Sequence, residues 1–231
     1  MWRILLFAFL WACAQHKNDC EYMGCEYLNK PYLANPLGEE RAPDMDPLIR
    51  FDAFDCTTFV ETVLADGNLN KLNQIRYANG QIGITTRNHF IETDWLTNNS
   101  SIVTNVSANY AETVIRTVTI DKQKWFKHKY GIDTEFAPET VQLEYIPYKF
   151  AQNIKIDKPM LVLFINDGKH FKNRTGTDLA VRHMGFLLPG GVLRHASSKA
   201  GRVLDANFSE YINEIMENKN NLGIMLLEIK K

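Results

Sequence analysis

One thiol and two imidazoles stand out as groups that could act together. Cys56 opens the run "CTTFVETVLA", and His183 and His195 flank the Pro-Gly-Gly break in "VRHMGFLLPGGVLRHASS". A thiolate is a nucleophile, one imidazole can take and return its proton, and a second can orient the first through its other nitrogen. The same three side chains could instead bind zinc. Neither a paired C-x-x-C nor an H-E-x-x-H pattern accompanies them, so no metal site is assigned.

Two elements must position these groups. Cys56, Phe59, Val60, Val63 and Leu64 follow helical spacing, and Asp55 can cap the helix, which puts Cys56 in the first turn on the packing face. A helix N-terminus and a nearby imidazolium would lower the thiol below its free pKa of about 8.5. The first turn also leaves backbone N–H groups free, that of Cys56 included, to stabilise an oxyanion. Val181–Leu188 and Val192–Ser198 read as a hairpin. A three-residue loop, with Pro189 leading a type I turn and Gly191 left-handed, pairs Leu188 with Val192 and sets Gly185 opposite His195. His183 then faces Ser197, and the two rings become diagonal neighbours on backbones about 7 Å apart. A two-residue loop would place the histidines on opposite faces.

The chain has 231 residues, 45% of them hydrophobic, and a formal net charge of -1. One globular domain with its own core fits these values, without the basic footprint of a nucleic-acid binder. No cofactor is implied, and oligomeric state is not legible. The basic stretch "DKQKWFKHKY", Asp121 to Tyr130, reads as a solvated helix face without assigned function. Residues 1–13 read as an export segment with a short apolar run. "LWAC" resembles a bacterial lipoprotein cleavage box, which makes Cys13 a lipidation site, with plain signal cleavage as the alternative. Ala14 would then favour the outer membrane, and any membrane contact would be through the lipid. Of the four cysteines, Cys20 and Cys25 can pair in an oxidising periplasm, leaving Cys56 alone.

Residues 14–48 form a polar, proline-rich arm, and residues 49–231 the main domain, with a mixed region inserted at about 70–158. In that insert "IRYANGQIGITT" reads as a hairpin about Asn79-Gly80, "ETVIRTVTI" as a strand and "DKQKWFKHKY" as a helix. "MLVLFIND", the histidine hairpin, "RVLD" and the closing "LGIMLLEIK" are strands, with "FSEYINEIMEN" a helix before the last. Helix first and antiparallel sheet after is an α+β layout.

"FDCTTFVETVLA" and "RHMGFLLPGGVLRHASS" resemble two motifs of the NlpC-type papain-like cysteine hydrolases, D-C-S-G-F-V and H-x-G-[IF] followed by H-A-S-S. The resemblance implies Cys56 as nucleophile, His183 as base and His195 as the orienting residue. It also implies a papain-like fold, with the nucleophile helix packed on an antiparallel sheet or half-barrel. "IRYANG", "RNHF" followed by "DWL", "LEYIP" and "RHASS" narrow it, over about Phe51 to Lys231, to the N-acetylmuramoyl-L-alanine amidase-like branch, long known as a domain of unknown function. That branch implies cleavage of the amide joining N-acetylmuramic acid to L-alanine in peptidoglycan. Thr57-Thr58 departs from the Ser-Gly of compact superfamily members, and the distance from Cys56 to His183 exceeds theirs. Relatives often add a tyrosine donor upstream of the nucleophile; the nearest here is Tyr32, and the second oxyanion donor stays unassigned.

Arg87, His89, Asp94 and Trp95 in the insert, with Ser197, are the expected substrate contacts, since aromatic faces suit sugars and arginine suits a carboxylate. Against that, Trp95 could be core, Arg87 could pair with Asp94, and His89 could compete with His195. The expected function is an exported, periplasmic cysteine amidase acting on peptidoglycan or muropeptides. The alternatives are an endopeptidase cutting the stem between D-glutamate and diaminopimelate, and a non-catalytic wall-binding lipoprotein.

Overall fold

In the computed structural model, which describes residues 23–230, Asp55 caps helix α1 (Cys56–Ala65) through a capping box. Its carboxylate accepts from the Thr58 N–H at 2.8 Å, while the Asp55 N–H donates to the Thr58 hydroxyl at 3.0 Å. Thr58 thus pairs off both ends of the helix start. Phe59, Val60, Val63 and Leu64 are buried on the face their spacing indicates.

Eight antiparallel strands form one sheet: β1 (Val103–Asn105), β2 (Val114–Ile120), β3 (Glu139–Pro147), β4 (Met160–Asn166), β5 (Val181–Leu188), β6 (Val192–Ser197), β7 (Arg202–Asn207) and β8 (Asn221–Ile229). Their order is β2-β3-β8-β4-β5-β6-β7, with β1 also on β8. The insert is therefore woven into the sheet, since both β1 and β3 pair with β8. Every residue of β4 is buried, which explains its unbroken apolar run. Leu161, Leu163 and Ile165 join a core with α1, whereas Val162 and Phe164 join a second core with Phe208 and Ile212 of a C-terminal helix (Phe208–Ile215). Each such side chain contributes about 1.5–3 kcal/mol by leaving water. Two helices thus clamp one sheet from opposite faces.

Two expectations change. Leu188 pairs with Val192 as expected, but Gly190 has φ 83 ahead of Gly191 at φ 76. A positive φ at the third turn position excludes type I and fits type II, which glycine adopts freely. Around Asn79-Gly80 there is no hairpin. Asn79 and Gly80 do have positive φ, yet they follow helix α2 (Leu69–Arg76), capped by Asn68 and packed through Leu72 and Ile75. Of the expected pairing, a single bridge between Tyr77 and Arg87 is present. The segment "IETDW", unassigned by pattern, is a π-helical turn, Ile91–Trp95.

The polar arm wraps the domain. Tyr32 donates its N–H to Gly201 at 2.8 Å, Val203 donates to Lys30 at 2.9 Å, and Phe54 donates to Pro31 at 3.0 Å. The arm therefore covers the β7 edge and lies against the segment leading into α1. Cys25 is in a disulfide; Cys20, Cys13 and the export segment lie outside the described residues. Among the described residues, no helix is long and apolar enough to cross a membrane.

Candidate active site

Cys56 occupies the first helical position of α1 and is a free cysteine. Its sulfur lies 3.9 Å from Thr57 Oγ1. The N–H groups of Met184 and Thr57 also face it, opposing the rise in its pKa. Burial, followed by the Asp55 charge, nevertheless pushes the thiol up to about 12. The lowered pKa expected from the helix terminus is thus not reached, because desolvation outweighs the nearby dipoles.

The two histidines meet as the hairpin register requires. His183 Nε2 lies 2.6 Å from His195 Nδ1, and the rings are T-shaped with centroids 4.8 Å apart. Burial and then His195 lower His183 to about 3; burial lowers His195 to about 4, against the pull of Asp205. Both imidazoles are therefore neutral near pH 7. Residues 183, 185 and 187 share one side of β5, the side where His183 meets Phe164 and Leu187 joins the second core. The β5–β6 ladder runs from Leu188 and Val192 to Phe186 and Arg194, with Gly185 and His195 packed closely just beyond it. Among the described residues no hydrogen bond joins Cys56 to His183, so the resting state holds a neutral thiol and a neutral histidine pair.

Neighbouring contacts hold this arrangement. Arg194 binds Asp205 through two 2.8 Å contacts and the Met23 carbonyl at 3.1 Å, fixing the residue before His195 to β7 and to the arm. Glu92, buried and raised by desolvation to about 7, accepts the Val181 N–H at 2.7 Å and anchors the start of the His183 strand.

Two tyrosines adjoin the site. Tyr32, on the arm, and Tyr211, on the Phe208–Ile215 helix, are each raised to about 12 by burial and then by the Cys56 charge. The Tyr211 ring lies 5.2 Å from His195 and 6.3 Å from His183, between centroids. Helical spacing with Phe208 and Ile212 was a signal for Tyr211's inward face. Tyr32 had no local signal, because only the long-range docking of the arm brings it here.

The expected substrate contacts disperse. Trp95 is 0% exposed, with its Nε1 unpartnered, and so belongs to the core. Asp94 binds Lys122 at 2.5 Å rather than Arg87. Arg87 instead donates to the Leu37 carbonyl at 2.6 Å and faces Glu39 at 3.5 Å and Asp44 at 3.8 Å. His89 lies 2.8 Å from the Ile84 carbonyl through Nε2, among Trp125, Phe126 and Tyr130, and burial lowers it to about 3. It does not join the histidine pair. Ser197 accepts the Ala200 N–H at 3.1 Å in the turn after β6. Arg87 and His89 do line a cavity of about 240 Å³ that also touches Thr57 and Val181. Among the described residues, no group of three or more His, Cys, Asp or Glu side chains could hold a metal ion.

A family model described as AmiA-like, N-acetylmuramoyl-L-alanine amidase-like, matches residues 22–220. A solved structure of a DUF1460-family protein from Legionella pneumophila has a TM-score of 0.80 at 22% identity, covering 94% of this chain and 89% of the other. That of an N-acetylmuramoyl-L-alanine amidase from Bacteroides uniformis has a TM-score of 0.70 at 25% identity, covering 94% and 100%. No curated protein matches the chain.

Proposed function

This chain belongs to the N-acetylmuramoyl-L-alanine amidase-like family, and from that premise we propose that it hydrolyses the amide between N-acetylmuramic acid and L-alanine, with Cys56 as nucleophile. The observation that carries the reading is the 2.6 Å His183–His195 contact, together with Tyr211, whose ring meets both imidazoles and which senses the charge of Cys56, a free cysteine at a helix start. The helix and antiparallel sheet are read as the papain-like NlpC arrangement.

The residues divide the chemistry as follows. With His183 Nε2–H donating to His195 Nδ1, the other nitrogen of His183, Nδ1, is left basic. Because thiol and imidazole are neutral at rest, the proton leaves Cys56 for His183 as sulfur attacks the carbonyl carbon, rather than beforehand. The Cys56 N–H and the Tyr32 hydroxyl then donate to the oxyanion. When the C–N bond breaks, His183 returns the proton to the alanine nitrogen. Water, deprotonated by His183, attacks the thioester; the lactyl carboxylate leaves and the thiol re-forms. His195 holds the base in place throughout.

The test is mass spectrometry of a disaccharide-tetrapeptide incubated with the protein and with Cys56→Ala. Release of free disaccharide and intact peptide by the unaltered protein alone supports the amidase. A cut within the peptide would move the function to an endopeptidase, and no cleavage across several muropeptides would favour a binding lipoprotein.

The reading extends to an exported protein with residues 1–13 as its signal and lipoprotein segment, Cys13 as the lipidated residue and residues 49–231 as the hydrolase domain. Loss of fatty-acid labelling in Cys13→Ser would support the anchor; unchanged labelling would remove it.

A further inference from the structure

The basic helix α3 (Lys122–Tyr130) is not merely a solvated face. Its buried side carries Trp125 and Phe126. Near its C-terminal end Lys129 Nζ lies over the rings of Trp125 and Tyr130, 4.8 and 4.9 Å from their centroids. Aromatic faces attract an ammonium without neutralising it, and among the described residues no carboxylate forms an ion pair with Lys129. The side chain lines the cavity that also touches Thr57, next to Cys56, and Val181, two residues before His183.

The charges around this cavity leave Lys129 available. Arg87 faces it, and that charge, after burial, lowers the lysine pKa, whereas Asp44 and Glu39 raise it. Both carboxylates are already held by Arg87. Burial also pushes the Glu39 carboxyl upward, while Arg87 pulls it down. Arg87 is therefore committed to the arm, and Lys129 is the cation left facing the cavity. The other carboxylates of the lining are engaged as well, Asp55 by the Thr58 N–H, Glu61 by Arg76 and Glu92 by the Val181 N–H, so a ligand group that pairs with Lys129 is an anion. Of the two halves of a muropeptide, the neutral sugar offers hydroxyls and an amide, while the peptide carries free carboxylates.

We propose that Lys129 recognises a free carboxylate on the peptide side of the scissile bond, making the cavity the peptide subsite; this rests on the amidase reading. The lysine supplies a charge-assisted hydrogen bond that the corresponding carboxamide cannot accept with equal strength. The role expected of Arg87 from sequence thus passes to a residue on a helix that had been given none.

Calorimetric binding to the full-length Cys56→Ala protein tests the subsite without requiring turnover. The probes are N-acetylmuramoyl-L-alanyl-D-glutamic acid and the same compound with its α-carboxylate as carboxamide. The acid is expected to bind about tenfold more tightly. Lys129→Met should bring the two Kd values together, and Lys129→Arg should keep them apart. Lys129→Gln serves as a second uncharged variant should the methionine protein fail to fold. Equal affinities in the Lys129 protein, no binding of either probe, or an unchanged ratio in the uncharged variants would overturn the proposal. A ratio that behaves as expected in a protein that cleaves no muropeptide would leave the subsite standing and remove the amidase.

Discussion

Gly185 and His195 share one cross-strand position, and a Cβ built on Gly185 would lie 2.9 Å from the His195 Cβ and 2.8 Å from the Arg194 carbonyl oxygen. Carbon atoms do not approach backbone that closely, so one strand must move. Gly185→Ala should therefore displace His195 from His183, costing about 1–3 kcal/mol of stability as overpacking does. Amide cleavage should fall at least a hundredfold in the fraction that stays folded. Thermal unfolding and muropeptide assays on one preparation read both, and a variant with unchanged cleavage would mean that the histidine contact is not needed.

Tyr211 supplies an aromatic wall to both imidazoles. Its ring, not its hydroxyl, is expected to matter to the pair, with each aromatic contact worth about 0.5–1.5 kcal/mol. Tyr211→Phe should retain kcat within about threefold. Tyr211→Leu should lower kcat about tenfold, leave KM unchanged and shift the acid limb of the pH profile, because the histidines lose their fixed orientation. Equal loss in both variants would transfer the role to the hydroxyl.

Tyr32 is the proposed second oxyanion donor. Removing one such donor costs about 10²–10³ in kcat with little change in KM. Tyr32→Phe should reproduce that split. A rise in KM alone would make Tyr32 a ground-state substrate contact.

Stability should fall with acid in a defined window. His89 and His183 are lowered to about 3 and His195 to about 4, against about 6.5 when unfolded. Between those values the unfolded chain binds more protons, so stability is complete above about pH 6.5 and is lost as pH falls, by up to about 1.4 kcal/mol per pH unit for each fully differing histidine. Urea midpoints at pH 7 and pH 5 check the sign. The raised Cys56 gives the opposite limb, with stability declining as alkali takes the pH above the free thiol range. Iodoacetamide should alkylate Cys56 slowly at pH 8 and faster at pH 10. Rapid alkylation at pH 7 would contradict the neutral, half-buried thiol.

Local pattern carried the parts of the site that depend on short spans. The Asp55 cap and helical spacing placed Cys56 correctly, and the loop count paired Leu188 with Val192 and brought the histidines together. Asn79-Gly80 misled because left-handed backbone marks the end of many turns, here one that follows a helix rather than joins two strands. Trp95 and Arg87 had residue types suited equally to a ligand and to the interior. Only tertiary packing decides that, through full burial for one and the arm carboxylates for the other. The thiol pKa was misjudged for the same reason, since desolvation is set by the whole fold.

The arm that carries Tyr32 is held by the far end of the chain, with Met23 on Arg194, Pro31 against Arg202 and Tyr32 on Gly201. It leaves the ribosome before anything it docks on. Until β7 and the turn before it have been synthesised, Tyr32 lacks its Gly201 contact and β6 its second partner strand. The chain thus delays its own hydrolytic competence, and a fragment cut short anywhere before β7 would be inert, whatever else of it had folded.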